Sequence, residues 1–301
     1  MLVLSMPTKE LIVVIGPTAS GKTEQALEIA QQTQAIILTA DSRMVYQRLD
    51  IGTGKPTWEH RQLLQSPWLV PTFTPSYGPI YRICGIEHFL LDLVPPGTQF
   101  SLTDWLVYAR AIINEYQEHD QQVVIVGGTG LYIKSLIEGY LPPPTDAVLR
   151  AEIEELATEE IIEELRKTDQ ITAVREQKNR RRLVRALEVV RLTDHPMSDQ
   201  RKGKILPAQI VRKDIKITEL RARINQRIIE RLDAGMVREV EDLLASGVSE
   251  EWLLTIGLEY RIITKWLQTK LGTRLTLQQE LEKAIYAYAR RQETYIRAKL
   301  S

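Results

Sequence analysis

A chain of 301 residues with 44% apolar side chains is long enough to build one large domain or two modest ones around a proper core. Lys plus Arg and Asp plus Glu stand at 39 each, so net charge points to no class of partner and only the charge distribution carries information. The single cysteine, Cys84, excludes a disulfide framework and a cysteine-based zinc site. No stretch approaches the roughly 20 apolar residues that cross a bilayer, and residues 1–7 lack a leader pattern, so a soluble, cytoplasmic chain is expected.

The first element is the apolar run Leu11-Ile12-Val13-Val14-Ile15, a buried strand. It runs into Gly16-Pro17-Thr18-Ala19-Ser20-Gly21-Lys22-Thr23, which fits G-x-x-x-x-G-K-[ST] and opens a helix at residues 24–30. Strand, glycine loop and helix N-terminus together form an anion cradle. Backbone N–H groups converge on phosphate oxygens, and the helix dipole contributes roughly half a positive charge. Lys22 adds a mobile full charge and the Thr23 hydroxyl suits a magnesium ion. The cradle predicts binding of a di- or triphosphate, of the nucleotide type.

Residues 35–39 form a second short strand, followed directly by Asp41. That carboxylate is placed either to take a proton from an acceptor beside the phosphates or to cap the next helix. Residues 67–85 carry Pro, Gly, Ser and Tyr without periodicity and read as a long surface loop. A third strand is expected at residues 89–94. Asp92 near its end is suited to holding magnesium through water, or to capping the strand end. Helical spacing follows at 104–116, then a fourth strand at 123–126 and a second glycine turn, Gly127-Gly128-Thr129-Gly130, opening another helix. Alternating strands and helices with near-continuous apolar strands argue for a parallel sheet covered on both faces, with its site at the carboxyl ends of the strands.

Pro142-Pro143-Pro144 punctuates the chain. Beyond it, residues 147–167 read as charged and helical and 178–192 as strongly basic. Residues 210–218 return to a strand, and 219–300 are helical with a break near Gly272. Between Arg175 and Arg191 stand seven basic residues (Arg175, Lys178, Arg180, Arg181, Arg182, Arg185, Arg191) against two Glu. Arg181 and Arg185, four apart, share a face beside an apolar stripe of Leu183, Ala186, Leu187 and Val190. Such a row suits nucleic-acid phosphates, or else a solvated basic face paired with the acidic helix at 152–164. The expected architecture is an α/β, P-loop NTPase-like parallel-sheet core (1–145), a mostly helical inserted domain (146–204), and a return to the core with C-terminal helices (205–301).

Taken with Thr39-Ala40-Asp41-Ser42-Arg43-Met44-Val45-Tyr46 and Asp50-Ile51-Gly52-Thr53-Gly54-Lys55-Pro56-Thr57, the glycine loop resembles the tRNA dimethylallyltransferase family. Gly127 to Tyr132, Arg181 to Val189 and Tyr288-Ala289-Arg290-Arg291-Gln292 continue the resemblance over nearly the whole chain. It implies transfer of a dimethylallyl group from dimethylallyl diphosphate, with Mg2+, to N6 of the adenosine 3′ of the anticodon in tRNAs reading codons that begin with U. It further implies Asp41 as base and Thr129 and Lys22 as catalytic partners. The tRNA anticodon stem-loop would meet Asp41, Ser42, Arg43, Met44, Thr129, Arg150, Arg181, Arg182, Leu183, Val184 and Arg185, and a monomer is expected. Ile217 stands where the family has an arginine reaching the diphosphate, so Arg212 or Arg221 would have to substitute. Gly257-Leu258-Glu259-Tyr260 lacks the second glycine of a Gly-x-Gly-Tyr segment. Two alternatives are an adenylate isopentenyltransferase acting on AMP, ADP or ATP, which needs no basic insertion, and a P-loop kinase of small molecules, which needs ATP.

Overall fold

The computed structural model describes residues 9–56, 61–64, 78–197, 199, 203–269 and 272–300. The chain divides into two compact units, one of residues 1–137 and 206–301, the other Glu138–Ile205.

The first unit is built on a seven-stranded sheet. Its strands are β1 (Leu11–Ile15), β2 (Ile36–Thr39), β3 (Gln62–Leu64), β4 (Ile80–Ile83), β5 (Ile86–Phe89), β6 (Val123–Gly127) and β7 (Ala208–Arg212), in the order β3-β4-β5-β2-β6-β1-β7. From β5 to β7 every pairing is parallel, as expected of apolar strands buried on both faces. β3 and β4 pair antiparallel at one edge. This is a departure from the loop expected at 67–85: residues 80–83 are a strand, and 67–77 lie outside the described residues. The third strand also differs from expectation. It covers Ile86–Phe89, and the chain turns away at once, Leu90 and Asp92 both taking positive φ. β7 starts earlier than expected and ends at Arg212, in register with β1.

Helices α1 (Lys22–Thr33), α2 (Leu102–Glu118) and α3 (Gly130–Ile137) alternate with these strands. α2 starts on a capping box in which Ser101 and Asp104 bond each other's backbone N–H. Its buried Trp105 donates to the Thr39 carbonyl at 3.1 Å and so ties the helix to the end of β2.

The second unit is all helix: α4 (Ala147–Glu155), α5 (Thr158–Thr168), α6 (Gln170–Arg175) and α7 (Arg180–Thr193). The single helical stretch expected at 147–167 is two helices, broken at Leu156 and Ala157. Ile153, Ile161, Leu165, Ala173, Leu183, Ala186 and Leu187 form its core. The unit begins ahead of the triple proline because the Pro143 and Pro144 carbonyls accept from Arg185, and Gly139 accepts from the Gly203 N–H.

Five helices complete the first unit: α8 (Ile217–Asp233), α9 (Met236–Ala245), α10 (Glu250–Ile256), α11 (Leu258–Thr269) and α12 (Arg274–Lys299). Thr273 caps α12 through its side chain, which accounts for the expected break near Gly272.

Candidate active site

The loop between β1 and α1 reaches its helix through Gly21, whose φ of 88° is open to glycine at no steric cost. Lys22 lies at the start of α1, where the N-terminal dipole favours an anion, and its Nζ donates to the Pro17 carbonyl at 3.2 Å. Burial pulls its ammonium down to about 8, with Asp41 opposing the fall and Arg227 adding to it. A charged lysine at the edge of its titration range is poorly solvated and strongly drawn to an incoming anion.

A cavity of about 390 Å³ opens at the carboxyl ends of the parallel strands. It is lined by Thr18, Lys22, Thr23, Asp41, Arg43, Met44, Gly127 and Gly128 at the glycine turns and the end of β2, by Gly52 to Gly54, Tyr288 and Gln292 from other segments that carry the resemblance, and by Arg227, Arg231, Glu259 and Tyr260. Ala19 and Gly21 line an adjoining cleft shared with Lys22, Thr23, Arg223 and Arg227. The Ser20 hydroxyl is buried without a partner among the described residues.

The capping reading of Asp41 is the one the structure realises. Its Oδ1 accepts the N–H of Arg43 at 2.8 Å and of Met44 at 3.4 Å, capping the turn after β2. Its Oδ2 has no partner among the described residues, and the residue lines the cavity with Lys22. Thr129 does not line it; its hydroxyl accepts the Ser42 N–H at 3.2 Å and so steadies the same turn. Close packing there requires glycine, because a Cβ on Gly127 would sit 2.1 Å from the Ala40 carbonyl oxygen.

Asp92 is not in this cavity. Its carboxylate is buried and taken up by Lys55 Nζ at 2.5 Å and Arg61 Nη1 at 2.9 Å, and Asp50 completes the network. Each carboxylate oxygen of Asp92 is paired with a buried cation, and the residue lies outside the cavity that Thr23 and Lys22 line. Of the arginines weighed as substitutes at the diphosphate, Arg212 is engaged by Asp214 and Glu293, and Arg221 stacks over Tyr286. Ile217 is exposed at the start of α8. The α8 cations that line the cavity are Arg227 and Arg231, one turn apart, while Arg223 donates to the Ser20 carbonyl at 3.4 Å. Burial and the neighbouring Arg231 pull Arg227 down to about 10. Glu259 stands 3.6 Å from Arg231, and burial raises its carboxyl.

Sequence reasoning missed the role of α12. Gln292 accepts the Thr18 N–H at 2.9 Å and donates to the Gly128 carbonyl at 2.9 Å, which locks the first glycine loop to the second. The cationic stripe on α8 was legible, since Arg223, Arg227 and Arg231 recur every four residues beside Leu220, Ile224, Ile228 and Leu232.

In the helical unit, Arg150 and Arg185 share the buried Glu188, and Arg182 pairs with Glu176. Arg180 binds the carbonyls of Glu154 and Leu156, and Arg191 pairs with Glu164, so the pairing with the acidic helices is real for these two. Arg181 and Lys178 are exposed and have no partner among the described residues. Leu183 and Val184 are packed in the unit's core, so their side chains offer no surface to an RNA, a correction to their expected place.

A glycine loop opening a helix, a carboxylate lining a cavity at the strand ends and two half-buried arginines on α8 place the chain among α/β proteins whose site lies at the carboxyl edge of a parallel sheet. Family models sharpen this: isopentenyl transferase matches residues 9–72 and IPP transferase residues 80–299. The chain belongs to the IPP transferase family. A tRNA dimethylallyltransferase 2 of Phocaeicola vulgatus is 32% identical over 97% of this chain and 89% of its own length. Another, of Shewanella sediminis, is 34% identical over 97% and 90%. The crystal structure of a tRNA isopentenylpyrophosphate transferase from Bacillus halodurans superposes with a TM-score of 0.62 at 27% identity, covering 96% of this chain and 86% of that one. A eukaryotic dimethylallyltransferase acting on tRNA shares the fold at a TM-score of 0.76 and 20% identity, over 96% and 70%.

Proposed function

We propose that this protein transfers the dimethylallyl group of dimethylallyl diphosphate to N6 of the adenosine 3′ of the anticodon in tRNAs reading codons that begin with U. The observation that carries the reading is Asp41 with a free Oδ2 in the same cavity as Lys22, Arg227 and Arg231. The allylic C1–O bond breaks as N6 bonds to C1, the electron pair leaves with diphosphate, and N6 loses a proton. Charge builds on the departing diphosphate, and fixed cations and N–H groups in a partly enclosed cavity stabilise it there. The exocyclic amine is a poor nucleophile because its lone pair is delocalised, and Asp41 Oδ2 is placed to take its proton. Capping the turn through Oδ1 holds that carboxylate still.

Thr23 lines the cavity and its hydroxyl has no partner among the described residues, so it would be the side chain to hold a magnesium ion there. Bound there, the ion would neutralise part of the leaving group's charge. Flipping the adenosine from its stack costs a few kcal/mol; the free Arg181 and Lys178 support a role for the helical unit in gripping RNA phosphates.

The test offers labelled dimethylallyl diphosphate and magnesium with unmodified tRNA and, separately, with AMP. Label in tRNA at the adenosine beside the anticodon, lost in Asp41→Asn with tRNA affinity retained, is expected. Label in AMP alone would move the chain to adenylate prenylation. Turnover by Asp41→Asn would remove Asp41 as the base.

A further inference from the structure

The loop at residues 50–54 borders the cavity, and a carboxylate grips it from its other side. Glu239, on α9, accepts the N–H groups of Asp50 at 2.9 Å and Ile51 at 2.7 Å on Oε2, and that of Gly52 at 3.0 Å on Oε1. The Tyr260 hydroxyl donates to the same Oε1 at 2.7 Å. Successive N–H groups converging on one anion are how backbones hold phosphate; here the chain's own glutamate fills the nest. Glu239 lines a separate cavity of about 770 Å³ together with Gln47, Tyr81 and Asp92, and is absent from the lining of the site.

With its N–H groups taken by Glu239, the loop offers the Gly52 carbonyl to the site, where it accepts from Arg231 Nη1 at 2.9 Å. Gly54 approaches both guanidinium groups so closely that a Cβ would lie 1.9 Å from Arg231 Nη2 and 2.6 Å from Arg227 Nη2. Gly52 packs against Tyr260 so closely that a Cβ there would lie 2.7 Å from the ring. Arg231 also pairs with Glu259 at 3.6 Å, beyond hydrogen-bond distance, so the Gly52 carbonyl is its short polar contact. A continuous chain of contacts therefore runs from Glu239 through the loop to the two arginines.

We infer that Glu239 is a positioning residue for the diphosphate: it touches no substrate, and it sets Arg231 by fixing the 50–54 loop whose Gly52 carbonyl holds that guanidinium. The inference rests on the assignment of the Lys22–Arg227–Arg231 cavity to the diphosphate.

Inorganic diphosphate is the probe, titrated calorimetrically into the full chain as wild type, E239Q, R231Q and the double variant. Gln keeps the size of Glu and turns an NH2 toward the N–H donors. E239Q is expected to weaken diphosphate about tenfold, as is usual when an orienting partner of a ligand-binding group is removed. The double variant is expected to bind no more weakly than R231Q alone, because a residue that acts through Arg231 has nothing left to act on. A residue with a merely structural role moves the melting temperature and leaves that coupling at zero. Should E239Q fail to fold, Y260F removes one donor from Glu239 and is expected to show the same coupling at smaller size. Unchanged affinity in these variants, or losses that add in the double variant, would overturn the inference while leaving the site intact. Failure of the wild type to bind diphosphate would overturn both.

Discussion

Lys22→Met removes the charge and keeps the stem. The cavity holds the ammonium largely out of water, which takes its pKa from 10.5 to about 8. A tenfold change in proton affinity corresponds to about 1.4 kcal/mol, so the charged form costs the ligand-free fold up to about 3 kcal/mol near neutral pH. Part of the residue remains exposed to the cavity, and the bond to the Pro17 carbonyl is worth about 1 kcal/mol. A net gain of about 1–2 kcal/mol is therefore expected for the variant, a rise in melting temperature of roughly 2–3 °C for a chain of this size, even as diphosphate binding is lost. The pH profile fixes the cause. Unfolded, Lys22 keeps its proton up to 10.5; folded, it releases it at about 8. Between those values the unfolded state binds more protons, so wild-type stability rises with pH. The variant lacks this rise, and the gap between the two proteins is largest below pH 8 and closes toward 10.5. Urea denaturation of both proteins across that range, in buffer free of phosphate and sulfate, measures it. A variant less stable than wild type, or a gap that does not change with pH, would refute the argument.

Gln292→Met preserves volume and removes both bonds between the glycine loops; with a buried carbonyl left unpaired at about 1–3 kcal/mol, lower thermal stability and weaker diphosphate binding are expected together, by thermal melts and titration. Cys84 is exposed, lines the same cavity and is the only thiol in the chain. Alkylation should add one label, impair turnover and be slowed by bound diphosphate; labelling at full rate with diphosphate bound would place the thiol away from the ligand. Arg181→Ala should weaken tRNA binding and reduce the log–log salt slope by about 0.7–0.9 if it neutralises one phosphate, whereas an unchanged slope would return it to the solvated face.

Local order carried much of the fold and part of the site. The strand, glycine loop and helix at residues 11–33 are contiguous, so spacing alone located the cradle, Lys22 and Thr23. Asp41 was legible because it follows a strand whose carboxyl end must face the mouth of a parallel sheet. The helical unit was readable too, apart from the break at Leu156 and the start at Glu138, which depend on caps and on carbonyls bound by Arg185. What sequence could not decide is which distant groups meet. Asp92 reads in sequence as a carboxylate for magnesium or a strand-end cap, and only the fold brings Lys55 and Arg61 to it, because two buried cations need a counter-charge within reach. Arg227, Arg231 and Gln292 lie 186 or more residues from Asp41 in the chain, Gln292 forming its bond to Thr18 across 274 positions. Sequence determined where the glycine loop and its helix lie, because strand, turn and helix N-terminus are contiguous in the chain. The tertiary structure alone decided which side chains close around it, because desolvation and ion pairing act between residues that only folding makes neighbours.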